Sequence, residues 1–116
     1  MLKQAEQLDR VYHALADNGR RTMVLRLAKG PATVSELARP LSMSLAAVLQ
    51  HVQVLEASGL ISSKKVGRIR TCSINPTTLR IAEQWIVDRR SSVELQLDRL
   101  GEYLASNPND MKRRGQ

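Results

Sequence analysis

Aromatic side chains are nearly absent. Tyr12, Trp85 and Tyr103 make up 3% of the 116 residues, and there is no Phe. Proteins that read single-stranded nucleic acid stack bases on aromatic platforms. The basic stretch of this chain has no such platform, which favours a duplex as any nucleic-acid partner. Cysteine is also scarce: Cys72 is the only one. A lone thiol forms no internal disulfide and builds no zinc site by itself. No run approaches the ~18 consecutive apolar residues of a membrane span. The opening segment MLKQAEQLDR lacks the apolar core of a secretory signal. The expectation is a cytoplasmic protein with no membrane partner. Enzyme signatures are missing too: there is no phosphate-cradling glycine loop, no nucleophile elbow and no His pair at i, i+4. No catalytic residue, cofactor or metal ligand is assigned, and no small-molecule effector can be named.

What the chain does have is focused positive charge. The formal net charge is +7. Residues 20–70 carry nine Lys and Arg against Glu36 and Glu56 alone, so the middle of the chain holds the whole excess. A concentrated cationic surface implies a polyanionic partner.

Hydrophobic spacing divides the chain into elements. Helix one is expected over 4–16, with Leu8, Val11, Tyr12 and Leu15 on one face. Asp17-Asn18-Gly19 breaks it. Helix two is expected over 20–29, with Met23, Val24 and Leu27 inward, and Gly30-Pro31 stops it. Thr33 opens a capping box with Glu36, so a short helix should run over 34–39 until Pro40. Ser44 caps a fourth helix reaching about residue 58. Val48, Val52 and Leu55 of this helix face the core, Leu45 lies near that stripe, and Ala46, Gln50, Gln53 and Ala57 face outward. Gly59 suits its left-handed end. Strands over 60–66 and 69–74 meet at Gly67-Arg68, a hairpin tip.

The last helix is expected over 76–105, with Leu79, Ala82, Ile86, Val93, Leu97, Leu100 and Leu104 at steps of mostly three and four. Such a stripe needs a partner, and a second subunit is the expected cover, with helix one packed beside it. The dimer-interface expectation is therefore Leu8, Val11, Tyr12, Ile86, Val93, Leu97, Leu100 and Leu104. The fold class that follows is mainly α (α+β): a winged helix-turn-helix with a two-stranded β-wing and a long C-terminal dimerisation helix. One domain should cover 1–105, with a disordered basic tail over 106–116.

A helix-turn-helix places its second helix in the DNA major groove. The fourth helix has no Lys or Arg, and its exposed polar groups are Ser44, Gln50, His51 and Gln53. Gln can bridge adenine N6 and N7, and Ala46 and Ala47 are small enough for close approach to base edges. His51 sits at the edge of the core stripe, where a packed ring and a DNA contact are both open. The wing supplies the cations Lys64, Lys65, Arg68 and Arg70, with no acid between residues 61 and 74. Phosphate or minor-groove contact is the expectation for them. Arg20 and Arg21 are open between backbone phosphate and an internal ion pair with Asp17 or Glu36. Cys72 reads as a small strand residue, Trp85 as a packing residue, and Met23 and Met43 as core filler. His13 reads as helix surface or dimer contact. The partner read from this pattern is double-stranded DNA. A protein-interaction adaptor and a non-specific architectural DNA protein are the competing classes.

The chain resembles the ArsR-type winged-helix repressors. The resemblance rests on LADNGRR (15–21), GPATVSELA (30–38), MSLAAVLQHVQVLEASGLI (43–61), GRIR (67–70) and INP (74–76). It implies a homodimer formed by the first and last helices and a two-fold operator near a promoter, usually for repression. It places Ser44, Ala46, Ala47, Gln50 and His51 on positions that approach bases or backbone. Metal-sensing relatives carry a Cys pair in the third helix, where this chain has VSELAR, or His ligands in the last helix, which here has acids (Glu83, Asp88, Glu94, Asp98) but no His. Leu49 stands where many relatives have a Ser that touches DNA, and Asn18-Gly19 replaces a common Pro-Thr. Metal sensing is not expected, and base preference does not transfer from relatives.

Overall fold

A computed structural model describes residues 3–106. The expected tail over 106–116 lies outside them except for Ser106. The elements in order are α1 (Gln4–Leu15), α2 (Asn18–Leu27), β1 (Ala32–Thr33), α3 (Val34–Ala38), α4 (Leu45–Ser58), β2 (Ile61–Val66), β3 (Ile69–Ile74) and α5 (Pro76–Ser106). The described chain forms two compact units, one ending at Ala82 and the other beginning at Glu83, with α5 running through the boundary.

In the first unit, the apolar stripes of four helices converge. Val11 and Ala14 of α1, Met23 and Leu27 of α2, Leu37 of α3, and Val48, Val52 and Leu55 of α4 are all buried. Leu60, Ile61, Cys72 and Ala82 close the core. The expected helices stand, with shifted edges. Helix α2 begins two residues early because Asp17 caps it, its carboxylate accepting the Arg20 N–H at 3.0 Å. The box at α3 is complete: the Thr33 hydroxyl accepts the Glu36 N–H at 3.1 Å, and the Glu36 carboxylate accepts the Thr33 N–H at 3.3 Å. Ser44 caps α4 by accepting the Ala47 N–H at 3.1 Å. Gly59 ends α4 at φ 86°, a left-handed conformation that glycine adopts without a Cβ clash.

The sheet has one strand more than expected. The order is β1-β3-β2, all antiparallel, with Ala32 opposite Cys72 and Thr33 opposite Thr71. A two-residue strand is too short for alternation to announce it. It fixes the start of α3 to the wing, because Thr33 is both strand residue and helix cap. The β2–β3 hairpin pairs Val66 with Ile69 across Gly67-Arg68. Gly67 takes φ 61° and Arg68 does not, the pattern of a turn with glycine at its first central position.

Two expectations for α1 change. Val11 is 0% exposed within this unit, so its side chain has no surface left for a second subunit. It is a core residue. Tyr12 is half-buried, and its hydroxyl donates to the Ala82 carbonyl at 2.8 Å, tying α1 to the first turns of α5. Leu8 is half-buried and His13 exposed.

The second unit is the remainder of α5. Ile86, Val93, Leu97 and Leu100 are each at least half exposed, and Leu104 is half-buried. Trp85 is exposed rather than packed, with the Arg89 guanidinium 5.2 Å from its ring centroid. Arg90 and Glu94 make a surface pair one turn apart at 3.7 Å.

Candidate nucleic-acid interface

The third and fourth helices and the hairpin build one continuous surface. Because α3 is capped at Thr33 and α4 at Ser44, the intervening residues turn the chain between two fixed helix starts. The core stripe of α4 sets its rotation. With Val48, Val52 and Leu55 inward, Ala46, Gln50, Gln53 and Ala57 are exposed on the opposite side. Ala47 is half-buried, and the Ser44 hydroxyl is already engaged in capping.

His51 lies on the flank of α4 that meets α2. Its Nδ1 is 3.1 Å from Arg20 Nη1, and its Nε2 is 4.0 Å from the Asp17 carboxylate. A guanidinium only donates, so this contact is a hydrogen bond in the tautomer that leaves Nδ1 unprotonated and carries the ring proton on Nε2, on the side of Asp17. The ring is thus held inside the fold. These contacts join α4 to α2, the packed setting that the sequence left open beside a DNA contact, and the side chain keeps 20% exposure.

The paired arginines are fold residues as well. Arg20 Nε donates to the Ala14 carbonyl at 2.7 Å and Nη2 to the His13 carbonyl at 3.2 Å. Arg21 Nη1 donates to the Leu15 carbonyl at 2.8 Å. These carbonyls belong to the last turn of α1, whose final C=O groups have no partner within the helix. Two cations at a helix C-terminus also meet the negative end of its dipole. The ion pair considered for Arg20 with Asp17 is replaced by a backbone bond to Asp17 and a side chain directed at α1. Asp17 is held below the usual carboxylate range, first by the Arg20 N–H and further by the nearby positive charge.

Glu36 joins α3 to α2. Its carboxylate lies 3.5 Å from Arg26 Nη2, while Arg26 Nη1 donates to the Gly30 carbonyl at 3.0 Å. Hydrogen bonds from the Thr33 N–H and hydroxyl lower its pKa.

On the wing, Lys64, Lys65 and Arg68 are exposed and have the free reach a phosphate contact requires. Arg70 is half-buried; its guanidinium donates to the Ser63 hydroxyl at 2.8 Å, and that hydroxyl bonds the Glu56 carboxylate of α4. The chain Arg70–Ser63–Glu56 fastens the hairpin to α4. Cys72 is buried among core residues, and burial first, then Glu56, pushes its thiol pKa up. It is a small core residue, unsuited to a reactive thiolate.

Between the wing and α4 runs a groove of about 490 Å³. Thr33, Val34 and Ser35 form one end, Leu45 and Leu49 its α4 side, and Lys65, Arg68, Ile69 and Arg70 its wing side. The groove, the Arg20–Arg21 clamp and the role of Glu56 were not apparent from spacing alone. The signal for the groove was present in Leu45 and Leu49, an i, i+4 apolar pair at the edge of the core stripe. Among the described residues, no three His, Cys, Asp or Glu side chains gather as a metal site, and no helix is long and apolar enough to cross a membrane.

A family profile described as a helix-turn-helix domain matches residues 10–63, the span from mid-α1 into β2. The HTH-type transcriptional regulator Rv2034 of Mycobacterium tuberculosis is 46% identical over 71 residues, covering 61% of this chain and 66% of that protein, just under two thirds of its length. The crystal structure of an ArsR family transcriptional regulator superposes with a TM-score of 0.75 at 42% identity, covering 81% of this chain and 97% of that one. The homodimeric winged helix-turn-helix DNA-binding domain Mb0332 from Mycobacterium bovis gives a TM-score of 0.61 at 25% identity, covering 78% of this chain and 84% of that one. The fold and these relatives are those of transcriptional regulators, not of enzymes. With the helix-turn-helix, the wing and a 42% identical relative covered almost end to end, the chain belongs to the ArsR family of transcriptional regulators.

Proposed function

We propose that this protein is a cytoplasmic homodimer that binds a palindromic operator in double-stranded DNA and represses transcription by occupying it. The observation that carries the reading is the division of labour on one surface. The outer face of α4 is neutral and offers Gln50 and Gln53, while the flanking hairpin offers Lys64, Lys65 and Arg68 with no acid among them. Base reading and phosphate attraction are thereby separated, as specific recognition requires. Ser44, Ala46 and Ala47 lie at the end of α4 that approaches the groove floor, and Arg70 stiffens the wing while adding its charge. The dimer seam draws on the exposed Ile86, Val93, Leu97 and Leu100 and on Leu104 of α5, and on Leu8 and Tyr12 of α1; the Mycobacterium bovis relative is a homodimer. Two copies would set two α4 helices about 34 Å apart, one turn of DNA.

A salt titration of duplex binding tests the wing. Log affinity falls with log salt in proportion to the phosphates neutralised, and Lys64→Ala or Arg68→Ala should each flatten the slope by about 0.9. An unchanged slope in both removes the wing from the contact surface. Gln50→Ala should cost about 1–3 kcal/mol on the preferred site and little on random duplex. Sedimentation of the free protein should give a dimer, and Leu97→Glu a monomer. A wild-type monomer at working concentration would refute the two-fold reading.

A further inference from the structure

The groove between α4 and the wing has an apolar side on a surface otherwise suited to a polyanion. Leu45 is 53% exposed and Leu49 37%, and across from them Ile69 is 60% exposed. None of these side chains is among the buried core residues, which on this helix include Val48, Val52 and Leu55. Phosphates and sugar edges gain nothing from exposed leucine. On the major-groove edge of a natural base pair, the apolar group is the C5-methyl of thymine. The cations Lys65, Arg68 and Arg70 line the same groove, so a DNA strand attracted to them passes alongside the leucines.

We propose that Leu45 and Leu49 determine sequence specificity by packing against thymine methyl groups, which selects A·T pairs at the steps they cover. The proposal rests on the duplex-binding reading above and adds what the glutamines do not supply. Gln50 and Gln53 recognise the adenine edge by hydrogen bonds, and the leucines recognise the partner base by shape. Leu45 and Leu49 stand one turn apart, ~6 Å along the helix, against a rise of about 3.4 Å per base pair. That is nearly two base-pair rises, so the two side chains cover different base pairs rather than one.

The test uses the full-length protein and a duplex selected by it from a random library. Thymines of the preferred half-site are replaced one at a time by uracil, which removes only the methyl. Burying one such carbon is worth about fourfold in affinity, so uracil at a contacted position should weaken binding about fourfold. In Leu49→Ala the penalty at the Leu49 position should disappear, and in Leu45→Ala the penalty at the other contacted position. Neither residue is in the buried core, so both variants should stay folded at the temperature of the binding assay, which their thermal midpoints check. The proposal is overturned if selected sites lack fixed A·T pairs, if uracil duplexes bind as tightly as thymine duplexes, or if the uracil penalty is the same in wild type and both variants. In each of those cases duplex binding itself survives. Failure to bind any duplex at low ionic strength would instead remove the functional reading beneath it.

Discussion

Arg20→Ala separates a fold residue from a DNA contact. The side chain makes two hydrogen bonds to the last turn of α1, at 2.7 Å to Ala14 and 3.2 Å to His13, and faces His51 Nδ1 at 3.1 Å. The substitution keeps the Arg20 N–H bond to Asp17, because that donor is backbone. It removes the cation and leaves the Ala14 carbonyl without its guanidinium donor. A charge-assisted hydrogen bond in a partly buried setting is worth about 1.5–3 kcal/mol. A cation at a helix C-terminus adds ~0.3–1 kcal/mol. The more exposed bond to His13 adds less, since that carbonyl already accepts the Ala16 N–H at 3.2 Å. The expected loss is about 3 kcal/mol. For a domain of this size that lowers the melting midpoint by roughly 12 °C. Urea unfolding followed by far-ultraviolet circular dichroism, at one fixed protein concentration, measures it. Arg20→Lys should recover less than half, since an ammonium cannot satisfy three divergent acceptors as a planar fork does. The reasoning is refuted if Arg20→Ala changes stability by less than ~0.5 kcal/mol while the salt dependence of DNA affinity falls by about one phosphate.

Three further outcomes follow from the packing. Gly59→Ala should cost about 1–2 kcal/mol from the left-handed backbone alone, and more from crowding, because its Cβ would come within 3.1 Å of the Gln7 amide and 3.3 Å of the Thr78 hydroxyl. Thermal unfolding checks it, and a wild-type midpoint would show that the cap relaxes freely. Cys72 should resist alkylation in the native protein and react only at the rate of unfolding, since burial disfavours its thiolate; rapid labelling without loss of helicity would show an accessible thiol. Glu36 has its pKa depressed below 4.5 in the folded chain, so its contribution is present above that value and is lost as pH falls through the folded pKa. Glu36→Gln should therefore be less stable than wild type at neutral pH and converge with it in acid, as midpoints across a pH series would show.

Much of this was legible in the chain because helices announce themselves locally. Thr33 with Glu36 three residues on, Ser44 before an apolar stripe, and Gly59 after it are signals carried by neighbours in sequence. The hairpin was legible for the same reason, with Gly67-Arg68 between two strand-like runs that each begin on Ile. Strand β1 was not, because two residues show no period and its pairing with Thr71 and Cys72 spans about a third of the chain. The outward face of α4 followed from the spacing of Val48, Val52 and Leu55. The fate of His51 and Arg20 did not, because charge says that a side chain is polar and not which acceptor will lie nearest once helices pack.

The order of residues by itself determined the helices, the hairpin, its cationic character and the neutral outer face of α4, since each depends on near neighbours and on backbone preference. Only the tertiary structure decided that Val11 is core rather than seam, that Arg20 and Arg21 cap α1, and that Leu45 and Leu49 line a cationic groove. Those outcomes depend on which surfaces meet when distant segments pack, and burial and hydrogen-bond partners exist only after that meeting.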